Sequence, residues 1–279
     1  MKPLAIDLYA GLGGWAEGFL AEGYDVIGFD IERHVYARRL CSSEAVKRPG
    51  MDWSGSDKPG YRAQQFNVPP PLDPFGGVAK YPGQLVLQDV LTLDGAQFRN
   101  AQCIVASPPC QAYSYRAMPW KRAKALPPPD NTLFDACFRI QREAIHASDC
   151  YSCRGRGLQG VSQCRTCLGT GHRYIPLVVE NVKGAQRWVG RAKWHYGSFY
   201  LWGDAPALMP YTRSKAKMQA AGDGIAYGGN FGWDGSAMRS GNSHSHARKA
   251  ASAEIAKIPF DLARHIASVF RSESKEQAA

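Results

Sequence analysis

The chain has 279 residues, of which 44% are hydrophobic, so it can form one large domain or a catalytic domain with a small appendage. No apolar run approaches the ~20 residues of a membrane helix, and the N-terminus leads into a strand pattern with no signal peptide, so we expect a cytoplasmic protein. The net charge is +10: residues 1–145 carry 16 Lys/Arg against 15 Asp/Glu, whereas residues 183–250 carry 10 against 3. This distribution favours a polyanion-binding surface, although a basic surface kept for solubility has the same composition.

The first elements along the chain form a βαβ pattern. Residues 4–9 predict a buried strand, residues 15–22 a short helix ended by Gly23, and residues 24–30 a second strand. The turn at 10–14 contains three glycines. Such a Gly-rich first turn is a recurrent feature of α/β folds.

The rest of the chain continues the alternation of strands and helices. Strands are predicted at 85–90, 103–107, 175–180 and 199–202, and helices at 131–147, capped by Asn131, and at 259–270, opened by Pro259. Residues 48–83 and 115–130 predict irregular segments, the second of them a mobile loop. The whole pattern predicts an α/β fold.

The turn after the first strand suits a nucleoside cofactor. Its glycines allow a ligand to approach the backbone, and amides at the following helix can face a polar or anionic group. Asp30 ends the second strand, where nucleotide-binding βαβ folds place the acid that holds the ribose hydroxyls. Asp89 follows the third strand and could accept a hydrogen bond from an adenine amino group. Taken alone, the segment indicates a nucleotide-like ligand and no particular reaction.

A cysteine follows the fourth predicted strand, in the sequence Pro108-Pro109-Cys110. The prolines favour extended backbone, which holds the thiol at the carboxyl end of the strand, where α/β sheets bind ligands. A thiolate there can attack an electrophilic carbon, and an unreactive core cysteine is the alternative. The fifth strand ends in Glu180-Asn181-Val182, and an apolar run that delivers a carboxylate to a strand end can build a site with a raised pKa. A Glu that only caps the next turn is the alternative there.

In their order along the chain, these segments resemble the DNA cytosine C5 methyltransferase family. The motifs that carry the resemblance are Asp7–Gly14, Pro108-Pro109-Cys110, Asn131-Thr132-Leu133-Phe134, Glu180-Asn181-Val182 and the last helix from Ile258. The resemblance covers roughly residues 4–40, 85–147 and 175–203 together with that helix. The Asp/Asn-Pro-Pro-aromatic motif of amino-group DNA methyltransferases is absent from the sequence.

The resemblance implies a Rossmann-like S-adenosylmethionine-dependent methyltransferase fold, with a mixed, mostly parallel sheet and helices on both faces. It implies S-adenosylmethionine as cofactor and double-stranded DNA as partner, and we expect a monomer in the cytoplasm of a bacterium or a phage-infected host. The expected cofactor-binding residues are Asp7, Tyr9, Ala10, Gly11, Gly13, Gly14, Asp30, Ile31, Asp89, Val90 and Pro108. The expected catalytic residues are Cys110, Glu180 and Asn181.

In the mechanism that the resemblance implies, the target cytosine is flipped out of the helix and the Cys110 thiolate adds to ring carbon C6. Glu180 contacts N3 and the exocyclic amine and stabilises the charge that develops. C5 takes the methyl group, a base removes the C5 proton, and Cys110 leaves. The sequence identifies no residue for that base.

Three features depart from the family pattern. The Gln-x-Arg-x-Arg motif is missing before the strand at 199–202, where Arg191 and Lys193 are candidate substitutes. Asp30 stands where many members have Glu, with Glu32 close by. The target-recognition domain is also reduced. We expect a catalytic domain of residues 1–147 and 174–203, a four-cysteine insertion at 148–173, a small basic target-recognition segment at 204–250, a returning helix at 251–271 and a polar tail at 272–279.

The insertion contains two Cys-x-x-Cys pairs, which are separated by ten residues. Each pair is followed by Gly-x-Gly, and the repeats resemble the zinc-binding repeats of DnaJ-type chaperones. This spacing predicts a structural Zn²⁺ site, with Cys150, Cys153, Cys164 and Cys167 as ligands. A structural role is the preferred interpretation, and contact of Arg154, Arg156 and Arg165 with DNA phosphates stays open.

Two other functions remain open at this point. The first is an RNA cytosine C5 methyltransferase, because one RNA-modifying branch shares these motifs. The second is a catalytically inactive, zinc-containing nucleic-acid binding protein, which the missing Gln-x-Arg-x-Arg motif favours and the intact Cys110 and Glu180 oppose. A chaperone-like module is excluded, because only two cysteine repeats occur in an otherwise enzymatic chain.

Overall fold

A seven-stranded sheet lies at the centre of the structure, a computed structural model that describes residues 2–34, 81–119, 121–207 and 256–276. Its strands are β1 (Leu4–Leu8), β2 (Asp25–Asp30), β3 (Gln84–Leu87), β4 (Cys103–Ala106), β7 (Leu177–Asn181), β8 (Trp194–Tyr196) and β9 (Phe199–Gly203). A separate hairpin pairs β5 (Leu158–Gln159) with β6 (Ser162–Gln163).

The sheet is mixed and mostly parallel, as expected. Its strands lie in the order β3-β2-β1-β4-β7-β9-β8. The first five pair in parallel, whereas β9 is antiparallel to both of its neighbours. Every residue of β4 and β7 is buried, which explains their continuous apolar runs, because a central parallel strand is covered on both faces.

Helices cover both faces of the sheet. On one face, α1 (Gly14–Ala21) and α6 (Phe260–Glu276) share a core with alternate residues of the strands. Gly18 allows these two helices to meet, because a Cβ there would overlap Ala263 and the backbone of Arg264. On the other face, the core is completed by α4 (Thr132–His146) and by 3-10 helices at Val90–Thr92 and Gly95–Phe98.

Shorter helices follow the ends of β4 and β7. They are α2 (Gln111–Arg116), α3 (Lys121–Lys124), a 3-10 helix at Lys183–Ala185 and α5 (Gln186–Val189). The prediction of an irregular segment at 115–130 was therefore wrong for α3 and the end of α2. The tail predicted after residue 271 is helical as far as Glu276.

Local hydrogen bonds explain two further differences. The third strand ends at Leu87, because Asp89 instead caps a 3-10 helix by accepting from the amide of Leu91 (2.9 Å). Asn131 precedes α4 but its side chain makes no capping bond. The side chain of Asp130 makes the capping bond instead, by accepting a hydrogen bond from the amide of Thr132 (2.8 Å).

One strand of the seven-stranded sheet, β8, was not predicted, and neither were the two strands of the separate hairpin. The three residues of β8 are too few to show alternation, and they are held by pairing with β9. Residues 48–80 and 208–255, which include most of the expected target-recognition segment, lie outside the described residues. Within the described part of the chain, no helix is long and apolar enough to cross a bilayer.

Candidate functional site

The predicted catalytic and cofactor residues gather at one edge of the sheet. Because β1, β2, β4 and β7 are parallel, their carboxyl ends meet. The strand order reverses between β1 and β4, which is where open α/β sheets form a ligand crevice. The segments that meet there are Tyr9–Gly14, Asp30–Ile31, Ser107–Cys110 and Glu180–Asn181.

The turn after β1 has a backbone that only glycine adopts easily. Gly11 and Gly13 have φ values of 50° and 75°, and Tyr9 has a φ of 61°. A non-glycine residue in this region is strained, and a hydrogen bond from the Tyr9 hydroxyl to Leu133 O (2.7 Å) holds it. Ala10 is buried beside the turn, and a Cβ on Gly14 would overlap the backbone of Ile258. The turn is therefore fixed between α4 and the segment that leads into α6.

Asp30 fixes the same turn from β2. Its Oδ2 accepts a hydrogen bond from the amide of Gly11 (2.9 Å), and Nε2 of His34 lies 3.4 Å from the same oxygen. Burial alone would raise the pKa of Asp30, but the bonds from His34 and Gly11 outweigh it and lower that pKa. The same contact raises the pKa of His34. Asp30 is therefore an ionised, oriented carboxylate next to the glycine turn.

Asp7 is fully buried beneath the turn. Its Oδ2 accepts from the hydroxyl of Tyr81 (2.9 Å), while Oδ1 has no hydrogen-bond partner among the described residues. Burial raises the pKa of Asp7 well above its ordinary value. The Tyr81 ring lies over Gly28, where a Cβ would come within 2.5 Å of it. Asp7 thus lies inside the protein, and Tyr81 covers it.

The remaining cofactor candidates differ in exposure. Ile31 is 72% exposed and Asp89 is exposed, at the ends of neighbouring strands. The amide of Gln88 donates to Asp30 O (2.8 Å), which keeps these two ends together. Val90 is buried, so it offers almost no surface to a ligand at this edge.

Two side chains hold the segment before Cys110, which is itself half-buried at the start of α2. Trp15 Nε1 donates to Ser107 Oγ (2.9 Å), and Asn181 Nδ2 donates to Pro108 O (3.0 Å). Asn181 is 1% exposed, so its bond is shielded from water. The end of β7 and the Cys110 segment are thereby joined.

Glu180 and Asn181 have different roles in this arrangement. Asn181 Oδ1 accepts from the amide of Val182 (2.8 Å), which leaves Nδ2 to face Pro108. Asn181 therefore positions the Cys110 segment. Glu180 is 6% exposed, so its carboxyl group is withdrawn from bulk water at the end of the adjacent strand.

A cleft of about 310 Å³ opens beside the Cys110 segment. Pro108, Pro109 and Gln111 form one wall, and Leu133 and Phe134 at the start of α4 form another. The volume lies at the lower end of the range for small-molecule sites. The cleft therefore separates two of the segments that carry the family resemblance.

The surface around this edge is basic. Residues 111–129 and 182–203 contain no Asp or Glu, and the two segments touch, because a Cβ on Gly184 would lie 3.1 Å from Tyr113 O. These two segments also contain exposed Lys and Arg side chains. Among the described residues, none of these side chains forms an ion pair with a carboxylate. We call these cations the basic rim: Lys121, Arg122, Lys124, Lys183, Arg187, Arg191 and Lys193.

Arg191 and Lys193, the candidate substitutes for the Gln-x-Arg-x-Arg motif, lie before β9 but are separated from it by β8. Both precede β8, and the tight turn between β8 and β9 leads into β9 instead. The amide of Lys193 donates to Leu201 O (2.8 Å), so Lys193 lies alongside β9 and not at its start. The replacement of that motif by either residue stays a prediction.

The four cysteines of the insertion converge. Their sulfur atoms are buried and all lie within 4.8 Å of one another, so the group could hold a metal ion. Amides of Gly157 and Gly171 donate to the sulfurs of Cys153 (3.2 Å) and Cys167 (3.3 Å). Four thiolates are the ligand set of structural zinc sites, which is consistent with the expected Zn²⁺.

The two halves of the insertion have the same backbone. Left-handed φ values recur fourteen positions apart, at 51° and 50° for Arg154 and Leu168, and at 73° and 80° for Gly157 and Gly171. A Cβ on Gly157 would overlap the carbonyl of Gly169, and one on Gly171 would overlap that of Gly155. The duplication seen in the sequence is therefore also a duplication in structure.

The insertion, which we call the four-cysteine module (residues 148–173), is attached at the other edge of the sheet. Ser148 Oγ accepts from the amide of Arg173 (3.1 Å) and donates to Arg173 O (2.8 Å), which closes the base of the module. Arg173 Nη2 donates to the carbonyls of Arg99 (2.7 Å) and Ala101 (2.9 Å), just before β4 begins. The module thus lies at the amino ends of β4 and β7.

Several residues of the site gave no signal in the sequence. Tyr81 lies in the predicted irregular segment 48–83, His34 follows the predicted second strand, and Trp15 lies in the predicted first helix. Tyr81 and Trp15 bond to residues far away in the sequence, and His34 reaches Asp30 from the segment after β2. The separation is 74 positions for Tyr81 and Asp7, and 92 for Trp15 and Ser107.

No protein-family model matches this chain, and a search of curated proteins finds no match.

Proposed function

We propose that the chain is an S-adenosylmethionine-dependent DNA cytosine C5 methyltransferase with Cys110 as its covalent nucleophile. The observation that carries the proposal is the buried hydrogen bond from Asn181 Nδ2 to Pro108 O (3.0 Å). It joins the ends of the adjacent parallel strands β4 and β7. A half-buried thiol and a buried carboxyl group, Cys110 and Glu180, are therefore held at the same edge of the sheet.

For this reaction, the residues at the edge supply a nucleophile and a charge-stabilising group. The Cys110 thiolate forms a bond to C6 of a flipped-out cytosine, and the electron pair moves towards C5. Glu180 contacts N3 and the exocyclic amine and stabilises the charge that develops there. When bound, S-adenosylmethionine would supply the methyl group to C5, and S-adenosylhomocysteine would be left as the product. Removal of the C5 proton then returns the electrons and releases the Cys110 thiolate.

The residues around the turn after β1 fit this cofactor. Gly11 and Gly13 leave the backbone open to a ligand, and Asp30 offers an ionised carboxylate for ribose hydroxyls. Ile31 and Asp89 are exposed where an adenine would lie across the ends of β2 and β3. The mixed sheet with its reversal between β1 and β4 is compatible with the Rossmann-like methyltransferase fold.

The basic rim supports a nucleic-acid substrate, which we take to be double-stranded DNA bound by a monomer. Its cations lie in the segments that follow β4 and β7, and these segments contain no carboxylate. Phosphate groups bound there would position a duplex over the cleft, while the flipped base enters it. For the four-cysteine module we propose a Zn²⁺ ion bound by four thiolates, which stabilises the insertion.

The test is methyl transfer from labelled S-adenosylmethionine to unmodified duplex DNA, with the product nucleosides identified. We expect 5-methylcytosine from the wild type and none from Cys110→Ser. Cys137→Ser is the matched control, because Cys137 is buried in α4 and its thiol contacts only Leu133 O (3.5 Å) among the described hydrogen bonds.

An RNA of the same sequence forms the second arm of this experiment. Methylation of the RNA alone would replace the proposal with the RNA methyltransferase alternative. Folded protein that binds the cofactor and both nucleic acids but forms no product would contradict the proposal, and would favour the binding-protein alternative.

A further inference from the structure

The four-cysteine module and the Cys110 edge lie at opposite ends of the same strands. Arg173 anchors the module to carbonyls just before β4, whereas Cys110 follows the other end of β4. The module likewise leads into the start of β7, which ends at Asn181. Five residues of β7 span roughly 16 Å at the usual rise of a strand. A duplex held across the Cys110 edge would therefore have to extend down the strands to reach the module.

The outer surface of the module is rich in arginine. Residues 148–173 contain four Arg, no Lys, no Glu and a single Asp. Three of the arginines, Arg154, Arg156 and Arg165, are exposed and form no ion pair with any described carboxylate. The fourth, Arg173, is bound to carbonyls at the base of the module.

The three exposed arginines belong to one surface. Ser152 Oγ and Thr166 Oγ1 are 2.8 Å apart, so the loops of the two halves lie side by side. Arg154 is two positions from this contact and Arg165 is next to it. Arg156 Nε donates to Cys153 O (3.1 Å), which keeps its side chain beside the first loop. The left-handed backbone at Arg154 (φ 51°) holds that residue in a defined position.

We propose that this arginine surface of the four-cysteine module is a second nucleic-acid contact site, which binds backbone phosphates and is separate from the basic rim. Guanidinium groups bind phosphate oxygens through paired hydrogen bonds. The sulfurs of the buried cysteines accept hydrogen bonds from the amides of Gly157 and Gly171. The exposed arginines take no part in these bonds. Phosphate binding at this surface does not require methyl transfer at the Cys110 edge.

Two such surfaces on opposite edges have a measurable consequence. Duplex DNA is stiff, with a persistence length of about 150 bp. A 12-bp duplex that lies across the carboxyl ends of the strands runs along that edge and does not bend down the strands to the four-cysteine module. The chain is expected to bind two short duplexes at once.

The experiment is a titration of a fluorescent 12-bp duplex with the full chain, at concentrations above the dissociation constant. We expect two duplexes per wild-type chain and one for the double variant Arg154→Glu/Arg165→Glu. Zinc content and circular dichroism of the variant should match the wild type. A second titration measures the affinity for the duplex at several salt concentrations. For the second duplex, the milder Arg154→Ala/Arg165→Ala should reduce the slope of log binding constant against log salt concentration by about 2.

The reciprocal variant Lys121→Glu/Lys124→Glu separates the two surfaces. It should also bind one duplex, but only this variant should lose methyl transfer, while Arg154→Glu/Arg165→Glu keeps it. One duplex per wild-type chain, or two for Arg154→Glu/Arg165→Glu, overturns the inference. A third result is that the wild type binds two duplexes and Arg154→Glu/Arg165→Glu one, while the wild type transfers no methyl group. That result would refute the proposed function and leave this inference standing.

Discussion

At the residue scale, the buried side-chain amide of Asn181 is one of the two groups that hold the segment before Cys110. Asn181→Ala would leave the carbonyl of Pro108 buried without its donor, which costs about 1–3 kcal/mol of stability. We expect a fall in the kcat of methyl transfer with little change in the KM for S-adenosylmethionine, because the Cys110 segment shifts while the glycine turn stays in place. Steady-state kinetics and denaturant unfolding measure both effects.

Gln141→Ala is the matched control for this variant. Gln141 Nε2 also donates to a backbone carbonyl, that of Ile175 (2.9 Å), but it lies near the amino end of β7. The control should lose stability and keep its kcat. Equal losses of kcat in both variants would show that Asn181 acts through stability alone.

Asp7 gives a pH-dependent prediction at the same scale. Burial raises its pKa in the folded protein, so the folded state holds this proton more tightly than the unfolded chain. Its contribution to stability is fully present below the ordinary Asp pKa of about 4 and is lost as the pH rises towards the folded pKa, by up to about 1.4 kcal/mol per pH unit. Asp7→Asn, which keeps the acceptor for Tyr81, should therefore become more stable relative to the wild type as the pH rises.

Thermal unfolding of both proteins between pH 5 and pH 8 measures this difference. The control is Asp25→Asn, because Asp25 is exposed and pairs only with the equally exposed Lys2 (3.7 Å). A stability difference between Asp7→Asn and wild type that does not change with pH would contradict a protonated Asp7.

At the element scale, each half of the four-cysteine module depends on one glycine. Gly157 and Gly171 both have a positive φ, and the amide of each donates a hydrogen bond to a cysteine sulfur. Gly157→Ala would place a Cβ against the carbonyl of Gly169 and displace the amide that donates to Cys153. We expect Gly157→Ala, and Gly171→Ala by the same reasoning, to lower zinc affinity. Competition with a chromophoric chelator measures that affinity.

Gly160→Ala is the matched control for these variants. Gly160 also has a positive φ (63°), but a Cβ there meets nothing within 4 Å. It bears the left-handed strain, about 1–2 kcal/mol, without the clash. If all three variants bound zinc equally weakly, backbone strain and not the clash would be the cause.

At the scale of the whole molecule, the sheet separates the proposed chemistry from the four buried cysteines of the module. The amino ends of β4 and β7 carry the four-cysteine module, and their carboxyl ends carry Cys110 and Asn181. The two cores, one on each face, keep the strands rigid between these ends. The four-cysteine module is therefore expected to act on stability and binding, and not on the reacting atoms.

The sequence by itself determined the alternation of strands and helices, the glycine turn, the Cys110 segment and the four cysteines. These features are local, because they follow from the period of apolar residues, from proline and glycine, and from spacing within a short segment. Parallel strands then bring their carboxyl ends together, so the neighbourhood of Cys110 and Glu180 also followed from the pattern.

Only the tertiary structure decided how these parts are held. It covers Asp7 with Tyr81, joins Asn181 to Pro108, and gives Asp30 the amide of Gly11. It also separates Arg191 and Lys193 from the start of β9 by inserting β8, a strand too short to predict. Each of these contacts joins residues that are distant in sequence or depends on pairing with another strand. The physical reason is that burial and hydrogen-bond partners are set by the packing of the whole chain, which no local pattern encodes.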